Sequence, residues 1–291
     1  MDRDYKKKFF TLNRFFCLPL IIFLVSHFYN SLYFPLIDYD IYRRIKALRE
    51  LELILSFREK DFDYSKIVCG YRIVIFGEDH GNNFLRLSND SPKDELIRQL
   101  ACLKSSGFNY LGLEMFPYGK QNLLDSYFES QGEEEAVLEK EVLKVLEDFW
   151  GWAPKKYLEL IRTAKQVGIR IIGLHDGGDE TRESFMSKIV IEVLQKSPEN
   201  KIIVFVGNAH LFNMGEYLKE FSPLKIALLG GGNYDNRIYK PTILEKIARE
   251  GGIEKERFLI SAEKLISIFG YNPIFGADIY IHLPTSFLSS F

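Results

Sequence analysis

Ile73-Val74-Ile75-Phe76-Gly77-Glu78-Asp79-His80-Gly81-Asn82 is the stretch that decides the fold. Four apolar residues predict a buried strand from Arg72 to Phe76. A glycine then breaks the strand, and three ionisable residues follow at once. An apolar run that stops at a polar cluster is how an open α/β sheet presents chemistry, because ligands sit outside the carboxyl ends of its strands. The layout returns in Ile202-Ile203-Val204-Phe205-Val206-Gly207-Asn208-Ala209-His210, so two strands end in Gly-x-x-His.

Working outward, strands alternate with helices. Further strands are expected over Tyr110–Phe116, Ile169–Leu174, Lys201–Val206 and Lys225–Leu229, with Ala277–Leu283 as an edge strand. Between them fall helical patterns. One runs from Ser91-Pro92 to Ser106 and stops at Gly107, one covers Lys120 to Trp150, and one covers Lys155 to Val167. Another begins at Thr181 and the last follows His210. This order predicts an α/β fold, a mainly parallel sheet flanked by helices in a single domain, preceded by an apolar N-terminal helix. The expected divisions are a signal or membrane-anchor segment over 1–36, a connecting helix over 37–66 and the α/β domain over 67–291.

Composition narrows the class. The chain has 291 residues, 46% hydrophobic and 27% charged, with a formal net charge of −2, which suits a folded core. No basic patch with interleaved aromatics stands out beyond the N-terminus, so nucleic acid is not an expected partner. The three cysteines, Cys17, Cys69 and Cys102, form no Cys-x-x-Cys pair, which argues against a disulfide framework or a cysteine-ligated zinc. Arg3 and Lys6 to Lys8 precede an apolar run from Phe15 to Phe28. That run is short of the roughly 20 residues of a full span. It reads as a membrane anchor or uncleaved signal, a cleaved signal, or an apolar helix packed on the domain. The first of these implies membrane association through the N-terminus and a domain outside the cytoplasm.

In such a sheet the strand ends converge on one rim. That rim would gather Glu78, Asp79 and His80 from the first strand, Glu114 from the second, His175 and Asp176 from the third, and Asn208 and His210 from the fourth. Arg182 sits early in the following helix, placed to face an oxyanion or a substrate carboxylate, or to pair with a neighbouring acid. Imidazole and carboxylate ligate divalent transition metals, and they also suit acid–base work near neutral pH. Glu114, among apolar residues, must be paired, metal-bound or protonated. Trp150, Trp152 and Tyr157 read as a packing corner, or as aromatics lining an apolar pocket. Glu133 to Glu135 read as a solvated face. Gly230-Gly231-Gly232 lacks the Lys-Ser/Thr of a P-loop, and no serine lies in a Gly-x-Ser-x-Gly elbow.

Gly77-Glu78-Asp79-His80, Leu113-Glu114-Met115-Phe116, the segment Trp150 to Tyr157 and Gly207-Asn208-Ala209-His210 together resemble the ChaN/TIKI superfamily. It includes ChaN-like haem-binding proteins, TIKI/TraB-type proteins and, as relatives, erythromycin esterases. Arg182 with Met186 is similar to the arginine helix of the TIKI/TraB branch. The resemblance implies a site built from His80, His210, Glu114 and Arg182, with Glu78 close by. The branches imply metal-dependent peptide hydrolysis, lactone hydrolysis, or haem binding linked to iron uptake. The expected function is therefore hydrolysis of an ester, lactone or peptide bond in a small-molecule or peptide substrate. His80 and His210, with Glu114 or Glu78, would either hold a metal that activates water, a divalent transition metal on His80, Glu114 and His210, or act directly as bases. The alternative is a ChaN-like haem-binding protein whose cofactor is haem.

Overall fold

The computed structural model describes residues 46, 48–78, 81–82, 87–88, 91–151, 153–175, 181–230, 247–249, 251–253, 255–272 and 276–284. The segment 1–36 and the residues Asp79, His80, Trp152, Asp176, Gly231 and Gly232 lie outside them. The chain divides into two compact units, Met1–Glu52 and Leu53–Phe291. In the first, the described residues are helical and carry a Lys46–Glu50 ion pair at 3.7 Å. Among the described residues, no helix is long and apolar enough to cross a membrane.

The second unit carries the sheet. Its strands are β1 (Ile73–Glu78), β2 (Tyr110–Pro117), β3 (Arg170–His175), β4 (Ile202–Gly207), β5 (Leu224–Gly230), β6 (Phe258–Ser261) and β7 (Ile279–Leu283), in the order β3-β2-β4-β1-β5-β7-β6. Every neighbouring pair is parallel except β6 with β7. The central strands β1 and β4 are buried along their whole length, which is why they read as unbroken apolar runs rather than alternating ones.

The two faces of the sheet can be told apart by parity. Val74 and Phe76 of β1, Leu111, Leu113 and Met115 of β2, and Ile203 and Phe205 of β4 share one core with Leu96, Leu100 and Leu103 of α1 (Ser91–Ser105). Those three leucines recur at helical spacing, so one stripe of α1 faces the sheet. Helices α2 (Gln121–Glu129), α3 (Gly132–Phe149) and α4 (Pro154–Gln166) add Leu124, Leu146, Leu160 and Ile161 to the same core. The alternate residues turn to the other face, covered by α5 (Arg182–Lys196) and α6 (Leu211–Tyr217) through buried Met186, Ile189, Val190 and Met214. A last helix, α7 (Ala262–Phe269), follows β6.

Two expectations need correction. Residues Ala277–Leu283 do contain a strand, β7, but it lies inside the sheet between β5 and β6. The edge is β6, a four-residue run too short to show a pattern before its helix, and Glu59 pairs with Leu259 to cover it. The expected helix over Lys120–Trp150 is two helices, because Ser130 is extended and Gly132 takes a φ of 62° that glycine tolerates best. At the opposite edge, the Gln121 amide accepts from Gly173 N–H at 3.0 Å and donates to Ile171 C=O at 2.9 Å. One side chain thus satisfies backbone groups that an edge strand would otherwise offer to another chain.

Candidate functional site

Three of the expected residues meet at the carboxyl ends of β2 and β4. The β2–β4 backbone ladder runs as far as Leu113 and Phe205. Beyond it, Glu114 takes over: its Oε2 accepts from Gly207 N–H at 2.7 Å. Its Oε1 lies 3.3 Å from Arg182 Nη1 and 3.1 Å from His210 Nε2. The Glu114 side chain is 1% exposed, so this carboxylate is buried and paired, not bare.

His210 sits one turn past β4, at the start of α6. Its second nitrogen, Nδ1, lies 2.8 Å from Glu183 Oε1. Burial pulls the imidazole toward its neutral form, but the contacts with Glu114 and then Glu183 outweigh it and hold its pKa above the ordinary value. Burial would raise the Glu183 pKa, but His210 and the Asn213 amide outweigh it and lower it. Glu183 also lies in the first turn of α5, where the helix dipole favours a negative charge. Arg182 and Glu183 are consecutive, so the start of α5 delivers a cation to Glu114 and an anion to His210. The sequence reading missed Glu183. The signal for it was a carboxylate beside Arg182 in the first turn of a helix already placed at the rim.

Glu78 points elsewhere. It shares parity with Val74 and Phe76, so its side chain enters the face covered by α1 and α4. There Lys93 donates to Oε2 at 2.8 Å and the Tyr157 hydroxyl donates to Oε1. The Lys93 and Glu78 side chains are 1% and 0% exposed. Tyr157, expected as part of a packing corner, is buried in this pair's surroundings, with Lys93 Nζ 4.9 Å from its ring centre. His175 closes β3 with its ring edge-on to Phe149, centres 4.5 Å apart. Asn208 Oδ1 is buried against Gly77 and has no hydrogen-bond partner among the described residues. His80 and Asp176 lie outside the described residues.

The donor set tests the expected cofactors. Both nitrogens of His210 and both oxygens of Glu114 are engaged, and one neighbour of Glu114 is the cationic guanidinium of Arg182. Among the described residues, no group of three His, Cys, Asp or Glu side chains could hold a metal ion. The described residues form a hydrogen-bonded acid–base network, and His80, the third ligand expected for a metal, lies outside them. A cleft of about 660 Å³ opens at the end of β2, between Pro117, Leu123, Val145 and Phe149, with Lys120 and Lys144 and the acids Glu141 and Asp148 beside them. Its two lysines are offset by its two carboxylates, and among its described lining residues there is no Tyr, His, Cys or Met to serve as an axial ligand.

No curated protein matches the sequence significantly. The type III effector HopBA1 shares 17% identity at a TM-score of 0.41, over 55% of this chain and 78% of that one. ChaN of Campylobacter jejuni, described with cofacial haem binding, shares 14% identity at a TM-score of 0.37, over 60% and 88%. A mutant of erythromycin esterase EreC in its open conformation shares 13% identity at a TM-score of 0.44, over 77% and 95%. Of two larger toxin chains, this chain covers 35% and 42%. The family model described as "Haem-binding uptake, Tiki superfamily, ChaN" matches residues 66–176, which run from the approach to β1 through the end of β3. The resemblance to the ChaN/TIKI superfamily therefore stands, carried by residues 66–176.

Proposed function

We propose that this protein is a hydrolase of ester, lactone or peptide bonds that works through His210, Glu114 and Arg182. The observation that supports it best is the position of His210, bracketed by Glu114 at 3.1 Å and Glu183 at 2.8 Å with Arg182 at the same carboxylate. An imidazole flanked by carboxylates is an acid–base group whose protonated form is stabilised where it forms. In the proposed reaction, His210 Nε2 exchanges its contact with Glu114 for a water molecule and takes a proton from it. The water oxygen bonds to the substrate carbonyl carbon, and the carbonyl electron pair moves onto oxygen. The half-exposed Arg182 guanidinium faces that oxyanion. Collapse expels the alcohol or amine, which takes the proton from Nε2.

The test is turnover of a panel of carboxylic esters, lactones and short peptides by the full chain and by His210→Ala. Hydrolysis that disappears in the folded variant supports the reading. Equal turnover by both proteins would end it.

A second reading, haem binding, is supported by the description of the family that matches residues 66–176. When bound, haem would supply redox or iron-carrying chemistry, and the cleft at the end of β2 offers it apolar walls, with Lys120 and Lys144 set beside Glu141 and Asp148. Titration with haemin, followed at the Soret band, separates the two: saturable binding without hydrolysis favours this reading. In either case the basic-then-apolar segment 1–36 supports membrane anchoring or export of the domain.

A further inference from the structure

We propose that Glu183 is a positioning residue that selects the tautomer of His210, keeping the proton on Nδ1 and leaving Nε2 as the base. The inference deepens the hydrolase reading and rests on it for its consequence, but not for its test.

The argument is a competition between two carboxylates for one imidazole. Glu114 approaches Nε2 at 3.1 Å and Glu183 approaches Nδ1 at 2.8 Å. Glu114 is already shared: Gly207 N–H reaches Oε2 at 2.7 Å and Arg182 reaches Oε1 at 3.3 Å. Much of its charge is therefore answered before His210 is counted. Apart from His210, Glu183 meets its own backbone N–H and the Asn213 amide, both neutral, so its charge is less answered than that of a carboxylate beside a guanidinium. A proton between an anion and an imidazole nitrogen is held harder where the anion is closer and less compensated. When the imidazolium gives up one proton, it leaves from Nε2.

The direction matters because free neutral histidine carries its proton on the other nitrogen, Nε2, in most molecules. Without Glu183, the lone pair would more often sit on Nδ1, on the side of the ring away from the Glu114 oxygen that Arg182 reaches. The wrong tautomer disables a histidine base even when its ring has not moved, at a cost on the order of 10⁴-fold in one well-studied triad.

The test is read by nitrogen NMR on the full chain with ¹⁵N-labelled histidine, His210 being assigned by its loss in His210→Ala. At a pH where the ring is neutral, the protein should show a protonated Nδ1 and a bare Nε2. Glu183→Gln removes the charge that wins the competition and Glu183→Ala removes the acceptor as well, so both should move the proton to Nε2. A native spectrum with the proton on Nε2, or an unchanged spectrum in folded Glu183→Ala, would overturn the proposal. This readout needs no turnover, so it survives a failure of the hydrolase reading. If turnover is found, Glu183→Ala and Glu183→Gln should each lower kcat on its alkaline plateau by about 10²-fold or more with KM little changed. A kcat that stays native in a variant whose proton has moved to Nε2 would also overturn it.

Discussion

Glu78 and Glu114 stand on the two strands that flank β4, yet their carboxylates leave the sheet on opposite faces. Glu78 meets Lys93 and Tyr157, and Glu114 meets Arg182 and His210. Glu78 is therefore expected to act on stability first. Glu78→Ala removes the anion that Lys93 and Tyr157 both reach in a buried setting. Breaking such a pair from one side costs about 3–5 kcal/mol. Pairing Glu78→Leu with Lys93→Met replaces the ion pair by apolar groups of similar volume and should recover most of that loss. Urea unfolding of the three proteins decides it. A Glu78→Ala midpoint equal to that of the unchanged protein would show that the pair carries no net stability.

The sheet, its polar rim and three of the meeting residues were legible in the sequence. The central strands announce themselves because buried parallel strands are apolar throughout, and both glycine breaks mark their ends. The face each rim residue takes was harder, though the information was present. Parallel strands in register alternate together, so Phe76, Leu113 and Phe205 share a face. Glu78 is two residues past Phe76 and Glu114 only one past Leu113, which puts the two acids on opposite sides. What could not be counted out was the register itself, since a slip of one residue reverses every side. Glu183 was missed for a different reason: a charged residue in a helix's first turn is ordinary there, and only the arrival of His210, 27 positions on in the turn after β4, gives it a role.

Gly77 is a packing requirement of the same site. A Cβ on Gly77 would lie 2.4 Å from Asn208 Oδ1 and 2.7 Å from Leu211 Cδ1. These two residues bracket Ala209 and His210 in the turn after β4. Gly77→Ala should cost about 1–3 kcal/mol by overpacking, and it should displace the His210 turn. Thermal unfolding reads the first effect. The His210 ring signals in an NMR spectrum read the second, and an unmoved ring with native stability would show that the turn yields freely.

Arg182 presents the reverse balance. Its side chain is 45% exposed, so its pairing with Glu114 is screened by water and should add less than about 1 kcal/mol to stability. If it faces the oxyanion, its loss falls on the transition state. Arg182→Gln should leave the unfolding midpoint within a degree or so of native, while lowering kcat by about 10²–10³-fold. A variant that loses stability and keeps kcat would assign Arg182 to the fold alone. Arg182→Lys keeps the charge without the planar fork and should fall between the two.

The pH dependence follows from the directions in which the paired groups shift. His210 titrates above its ordinary value of 6.5 in the folded protein. Its contribution to stability is therefore fully present below 6.5 and is lost as the pH rises through the raised folded value. Glu183 titrates below its ordinary value of 4.5, so its contribution is present above 4.5 and is lost as the pH falls through the lowered value. The stability difference between the protein and His210→Gln should be widest between those two ordinary values and should shrink on the alkaline side. Turnover runs the opposite way. A base must be neutral, so kcat/KM should rise with pH across the raised His210 pKa, and the midpoint of that rise should lie above 6.5. Glu183→Gln withdraws one of the charges that raise it and should move the midpoint to lower pH, while Glu114→Gln should do the same and also weaken the hold on Gly207 N–H. Rate–pH profiles of the three proteins measure this directly. A midpoint that stays put in Glu183→Gln would mean that another group governs the rise and that the contact at Nδ1 does not reach the chemistry.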